Sequence, residues 1–221
     1  MKHIVAVTAA LLLAASPMKA QETMPKMMYK STETPAYSIE RAVGEAEIRS
    51  YAPRIVAEVT VSGSRSGAIN SGFRILAGYI FGGNEGAAKV AMTSPVAQMP
   101  AEKIAQKIAM TSPVAQTAAD GAGEDGPWVV QFTMPSQYTL GSLPKAKDAS
   151  IRFVPQPADR QLVLQFPGLA GTSVLARKEA ELRALARAEG LELAGGPMYY
   201  FYDAPFTLPW NRRNEVAFAL R

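Results

Sequence analysis

The chain has 221 residues, is 48% apolar and carries 23 basic against 19 acidic residues, a formal charge of +4. That is enough to bury one substantial core, and the scattered basic residues argue against a protein that tracks a phosphate backbone. Cysteine is absent and the only histidine is His3, so disulfides are excluded. Once the segment carrying His3 is removed, Ser-His-Asp and Cys-His catalysis and thiolate or imidazole zinc sites are excluded too.

Met1, Lys2 and His3 form a short basic start, residues 4–15 an uninterrupted apolar and small-residue run, and residues 16–20 a break. The run is too short to span a bilayer and has the order of an export signal, with cleavage expected after Ala20. The expected product is exported, periplasmic or secreted, and no later segment is apolar enough to cross a membrane as a helix. Residues 21–35 are polar and aperiodic and read as a flexible leader. Residues 36–221 read as one domain.

Within it, 37–43 and 46–51 read as strands around Gly44. Residues 54–61 alternate clearly, with Ile55, Ala57, Val59 and Val61 on one side. Ser62, Gly63 and Ser64 end that strand and offer a helix N-cap. Ile69, Phe73, Leu76 and Ile80 then make one apolar helical stripe, stopped by Gly82, Gly83 and Asn84.

A ten-residue phrase follows twice, KVAMTSPVAQ at 89–98 and KIAMTSPVAQ at 107–116, with only Val90 and Ile108 differing. Period two places Val90, Met92 and Val96 on one side and Lys89, Ala91, Thr93 and Ala97 on the other. Ile108, Met110 and Val114 repeat this in the second copy. Each copy reads as a half-buried strand, with Pro95 and Pro113 marking an edge, a bulge or an end. The duplication is open to two readings, one structural strand copied or two methionines lining a ligand pocket.

A polar loop over 118–127 and a strand over 128–134 complete the first half. The second half repeats its order, with a strand at 160–166, a turn and cap at 168–172, a helix at 173–189 closed by Gly190, and strands at 198–202 and 214–220. Glu179 and Arg183 supply an i,i+4 ion pair on that helix. Two strand-helix-strand-strand halves predict an α+β fold of antiparallel sheet with one helix packed on each half.

Several motifs, in this order, carry a resemblance: Ala46–Tyr51 (AEIRSY), YIFGGN at 79–84, the doubled K-[VI]-A-M-T-S-P-V, FTMPSQY at 132–138 with Leu143 and Pro144, YDAPFT at 202–207, and RRNEV at 212–216. Together they resemble the SOUL haem-binding proteins over nearly the whole chain after residue 36. The resemblance implies a distorted antiparallel β-barrel of two pseudo-repeated halves, like bacterial effector-binding domains. It also implies haem or another tetrapyrrole held non-covalently, without catalysis, in an apolar groove beside the first helix.

On this reading Phe73, Leu76, Ala77, Tyr79 and Ile80 form the groove, Met92 and Met110 serve as wall or weak ligand, and Arg74 and Lys178 face the propionates. With histidine and cysteine gone, iron ligation falls to tyrosine, methionine or lysine. The same helical stripe also reads as plain core. Two other functions compete. Met24, Met27 and Met28 suit Cu(I) through their thioethers, and a hydrolase could use Glu47 with Tyr51, or Glu215 with a tyrosine.

Overall fold

The computed structural model describes residues 27–100, 126–204 and 206–221. The expected signal, Met24, and the second copy of the repeat with Met110 lie outside the described residues. The 27–34 part of the expected leader is ordered as a two-stranded antiparallel ribbon, β1 (Met27–Tyr29) and β2 (Thr32–Thr34). Polar anchors hold it down: the Tyr29 hydroxyl donates to Asp203 at 3.0 Å, and the Lys30 ammonium pairs with the same carboxylate.

The first half comprises β3 (Tyr37–Val43), β4 (Ala46–Tyr51), β5 (Arg54–Ser62), α1 (Arg65–Ile80), β6 (Val96–Pro100), β7 (Pro127–Thr133) and β8 (Arg152–Gln156). The second comprises β9 (Asp159–Phe166), α2 (Thr172–Ala188), β10 (Leu193–Phe201) and β11 (Asn214–Leu220). All nine strands from β3 onward form one antiparallel sheet ordered β3-β4-β9-β11-β10-β6-β7-β5-β8.

Strand alternation sorts this sheet into two faces. Ala46, Ile48, Leu162, Leu164, Val216 and Phe218 pack under α2 with Leu175, Leu182 and Ala186. Ala57, Val59, Val130 and Phe132 pack under α1 with Leu76, Tyr79 and Ile80. Both helices therefore cover one face. The other face carries Tyr51, Ala97, Val163, Tyr200 and Ala217.

That second face is concave, as one ion pair establishes. Arg54 begins β5 and Asp159 begins β9, five places apart in the sheet order, a separation of roughly 24 Å in a flat sheet. Their side chains meet at 2.6 Å. The sheet curls until its distant strands touch, yet among the described residues it stays open, with β3 and β8 as its two edges. The expected barrel is thus corrected to a strongly curled open sheet.

The N-cap of α1 is Ser64, whose hydroxyl accepts from the Gly67 amide at 3.2 Å. The cap of α2 falls inside the expected 168–172 turn, at Gly171, which makes no side-chain bond, and the helix starts one residue earlier than expected, at Thr172. Gly190 closes α2 in the left-handed region, φ 64°, where a glycine carries no Cβ penalty.

The first repeat copy departs most from its alternation. Only Val96–Pro100 is strand. Before it the backbone bonds go elsewhere: the Val90 amide donates to the Ile80 carbonyl at 2.9 Å and the Ser94 amide to the Glu33 carbonyl at 2.8 Å. Thr93 is buried and its hydroxyl donates to the Thr133 carbonyl, while Met92 faces outward. With its bonds divided among the end of α1, β2 and the end of β7, this stretch forms an isolated bridge at Thr93 and no continuous ladder.

Candidate functional site

The helix α1 presents two different sides. Leu76, Tyr79 and Ile80 point into the core, each no more than 1% exposed, and Ala77 is also buried. The Tyr79 hydroxyl donates to the Pro144 carbonyl at 2.9 Å, and burial, with the neighbouring Tyr138, pushes its pKa up to about 12. These side chains hold the helix to the sheet and offer little surface to a guest.

Phe73 is 37% exposed and meets Phe132 edge-on, with ring centroids 5.4 Å apart. Phe81 is 68% and Met92 37% exposed. Phe73, Ala77 and Phe81 fall on one i, i+4, i+8 row of the helix, and Arg74 stands exposed beside it. Lys178 does not join them. It lies on α2, which packs on β9 and β11, and it pairs with Glu181 at 2.8 Å.

The turn after α1 is tightly built. Asn84 is fully buried; its amide donates to the Tyr79 and Ala88 carbonyls at 2.9 and 2.7 Å and its oxygen accepts from the Ala88 amide at 2.9 Å. Gly83 sits where a Cβ would come within 2.6 Å of the Gly78 carbonyl oxygen. The YIFGGN motif is therefore an architectural clamp that fixes the end of α1 and the start of the Met92 segment.

The concave face holds a second set of groups. Glu215, fully buried, accepts from Arg49 at 3.0 Å, from Arg213 at 2.6 Å and from the Tyr202 hydroxyl at 2.9 Å. Arg49 is 2% exposed. It also bonds Glu47 at 2.7 Å and stacks over the Tyr37 ring at 4.5 Å. Although burial disfavours its charge, the Glu215 carboxylate holds the Arg49 pKa above its ordinary value. Nearby the Tyr200 hydroxyl donates to Gln161 at 2.9 Å.

Over this network lies an inner recess of about 270 Å³, lined by Tyr51, Ala97, Met99, Met198, Tyr200 and Tyr202 among others. A wider cleft of about 920 Å³ adjoins it across Pro35, Tyr51, Arg54, Thr133 and Gln156. Among the described residues, none of those expected to hold a tetrapyrrole lines either space.

Glu47, Arg49 and Tyr51 alternate onto one face of β4, and the curl turns that face inward, with Arg49 and Tyr51 buried. Sequence reasoning missed Arg54 and Tyr200. The available signal was the density of polar-tipped aromatics at Tyr199, Tyr200 and Tyr202 beside a strand carrying Glu215. The Glu215–Tyr202 pairing is real, but two guanidiniums neutralise the carboxylate, which leaves no free base.

Of the expected thioether cluster, Met24 lies outside the described residues. Met27 and Met28 alternate on β1 and so face opposite ways. The Met27 sulfur accepts from the Tyr37 amide at 3.2 Å. Among the described residues no group of three or more histidine, cysteine or acidic side chains converges on a metal position, and no helix is long and apolar enough to cross a membrane.

The family model described as SOUL heme-binding protein matches residues 32–106 and 99–219. Its two matches meet over the connector between the repeat copies. No curated protein matches the chain. Among solved structures, the EcmrR C-terminal domain is similar with a TM-score of 0.58 at 12% identity, over 84% of this chain and 98% of that one. A hydrolase encoded by lin2189 from Listeria innocua is similar with a TM-score of 0.51 at 12% identity, over 80% and 91%. At such identity these likenesses concern the fold alone.

Proposed function

Since the chain belongs to the SOUL haem-binding family, we propose that it binds haem or another tetrapyrrole non-covalently, without catalysis, on the outer flank of α1. The observation that carries this reading is the row of Phe73 and Phe81, both exposed on that flank, with Met92 also exposed in the segment that follows the turn. Large apolar side chains left in water together mark a binding surface, and a flat macrocycle covers them at about 25 cal/mol per Å² of apolar area. Arg74 supplies a cation for a propionate. Leu76, Ala77, Tyr79 and Ile80 support the row from beneath, and the exposed Met92 offers a thioether for an iron.

Ferric haem titrated into the purified protein tests this. The Soret band is expected to shift away from that of free haem, and a Phe73→Ala, Phe81→Ala double variant is expected to bind about tenfold more weakly, a loss of ~1.4 kcal/mol. An unshifted band, or a double variant that binds as well as the parent, overturns the reading. Export belongs to the same proposal, on the strength of the apolar run at 4–15. A secreted product whose mass corresponds to cleavage elsewhere than in the 15–20 region, or a product retaining residue 1, counts against it.

A further inference from the structure

We propose that the concave face is a second ligand site, separate from the α1 flank, for a planar aromatic molecule that carries no negative charge. The recess is walled by three tyrosine rings, two methionine thioethers and Ala97. Flat polarisable walls of this kind take an aromatic guest by stacking and sulfur–ring contact. With its adjoining cleft it has the make-up of a small-molecule pocket, mainly apolar in exposed lining and carrying polar groups in fixed positions.

Charge narrows the guest. Among the described residues the combined lining holds one cation, Arg54, against two carboxylates, Asp159 and Glu33. Arg54 is already bonded to Asp159 at 2.6 Å, and the Glu33 carboxylate accepts from the Ser136 amide at 2.9 Å. The other guanidiniums of this face, Arg49 and Arg213, are committed to Glu215 and stand outside the lining. An anionic guest such as a propionate-bearing macrocycle would enter without a cation to meet it, at the full cost of desolvating its charge.

The rings themselves already hold cations. Arg54 lies over Tyr51 at 5.1 Å and Arg213 over Tyr202 at 4.1 Å, so one face of each ring is taken and a guest stacks on what remains. Two polar groups are left facing the space. The buried Tyr51 hydroxyl accepts from Arg49 at 3.4 Å, and its own proton has no acceptor among the described residues. The Gln156 amide at the rim likewise makes no hydrogen bond among them. A ring nitrogen or carbonyl on the guest would take the Tyr51 proton.

Three acridines of one shape separate the possibilities: acridone (neutral), 9-aminoacridine (cationic) and acridine-9-carboxylate (anionic), each titrated by calorimetry into the full protein with and without ferric haem. At least one of the first two is expected to bind tenfold or more tightly than the carboxylate, with haem present or absent. Ala97→Leu, which fills the recess, is expected to weaken that binding at least tenfold and to leave the haem titration unchanged. Tyr51→Phe keeps the ring and removes the donor, and is expected to weaken acridone several-fold; it decides the matter if Ala97→Leu fails to fold by circular dichroism. Binding of the carboxylate equal to the others, no binding of any, or acridine binding untouched by a folded variant overturns the proposal. So does Ala97→Leu weakening haem and acridine alike, which would make the two sites one.

Discussion

Glu215 is fully buried, and it is surrounded by Arg49, Arg213 and Tyr202. Taking a carboxylate and a guanidinium out of water costs several kcal/mol for each ion. Here that cost is offset because every oxygen of Glu215 has a donor, and Arg49 is additionally bonded to Glu47 and stacked on Tyr37. Removing the negative charge while keeping the shape leaves two guanidiniums facing each other in a poorly hydrated space. Glu215→Gln is therefore expected to cost about 3–5 kcal/mol, read from the midpoint of urea unfolding. A loss below ~1 kcal/mol, the range of an exposed pair, would mean that water reaches this network. Because Tyr202 lines the inner recess, the same variant is also expected to loosen that wall.

At the scale of elements, α1 reaches its place through a missing side chain. Gly72 lies over β7 where a Cβ would stand 2.6 Å from the Val130 Cβ and Cγ2 atoms. Val130 is fully buried and branched at Cβ, so it has no alternative position to offer. Gly72→Ala is expected to destabilise by about 1–3 kcal/mol through overpacking, against the gain in helix propensity. Gly78, on the open side of the same helix, has nothing within 4 Å of its Cβ position. Gly78→Ala is expected to stabilise by ~0.5–1 kcal/mol. Opposite signs for the two in thermal unfolding are the outcome expected, and like signs would refute the close packing at Gly72.

This helix also marks where the sequence is legible. Its apolar stripe, its cap at Ser64 and the one-sided apolar row of β5 follow from periodicity, because each turns its apolar side to the core. Leu76 and Ile80 were equally readable as core or as pocket, since a helical stripe is apolar in both cases. Only the packing of β5 and β7 beneath them decides. The concave face was hidden for a different reason. Period two tells which residues share a face, but whether that face meets solvent depends on the curl of the sheet. The curl depends on contacts such as Arg54 with Asp159, 105 residues apart in the chain. The segment before β6 misled because its hydrogen bonds leave for Ile80 and Glu33, which no local pattern records.

For the molecule as a whole, the tyrosines report on the integrity of both faces at once. Tyr51, Tyr200 and Tyr202 lie within the curl, Tyr199 is buried beneath α2, Tyr79 anchors α1, and Tyr29 ties the β1–β2 ribbon to Asp203. Desolvation raises the pKa of each of these six above the ordinary 10, with nearby carboxylates adding to it at Tyr29, Tyr51, Tyr199, Tyr200 and Tyr202; Tyr79 reaches about 12. A folded pKa above the unfolded one contributes stability that is complete below pH 10 and disappears as pH climbs through the folded values. The expected result is that phenolate absorbance at alkaline pH rises in one cooperative step above pH 10, together with loss of the far-ultraviolet dichroism. The sheet should unfold because its tyrosines ionise only when released. Gradual ionisation of these six centred on pH 10, with the dichroism intact, would mean that the curl admits water freely, and the recess would then lack the dry aromatic walls on which its selectivity depends.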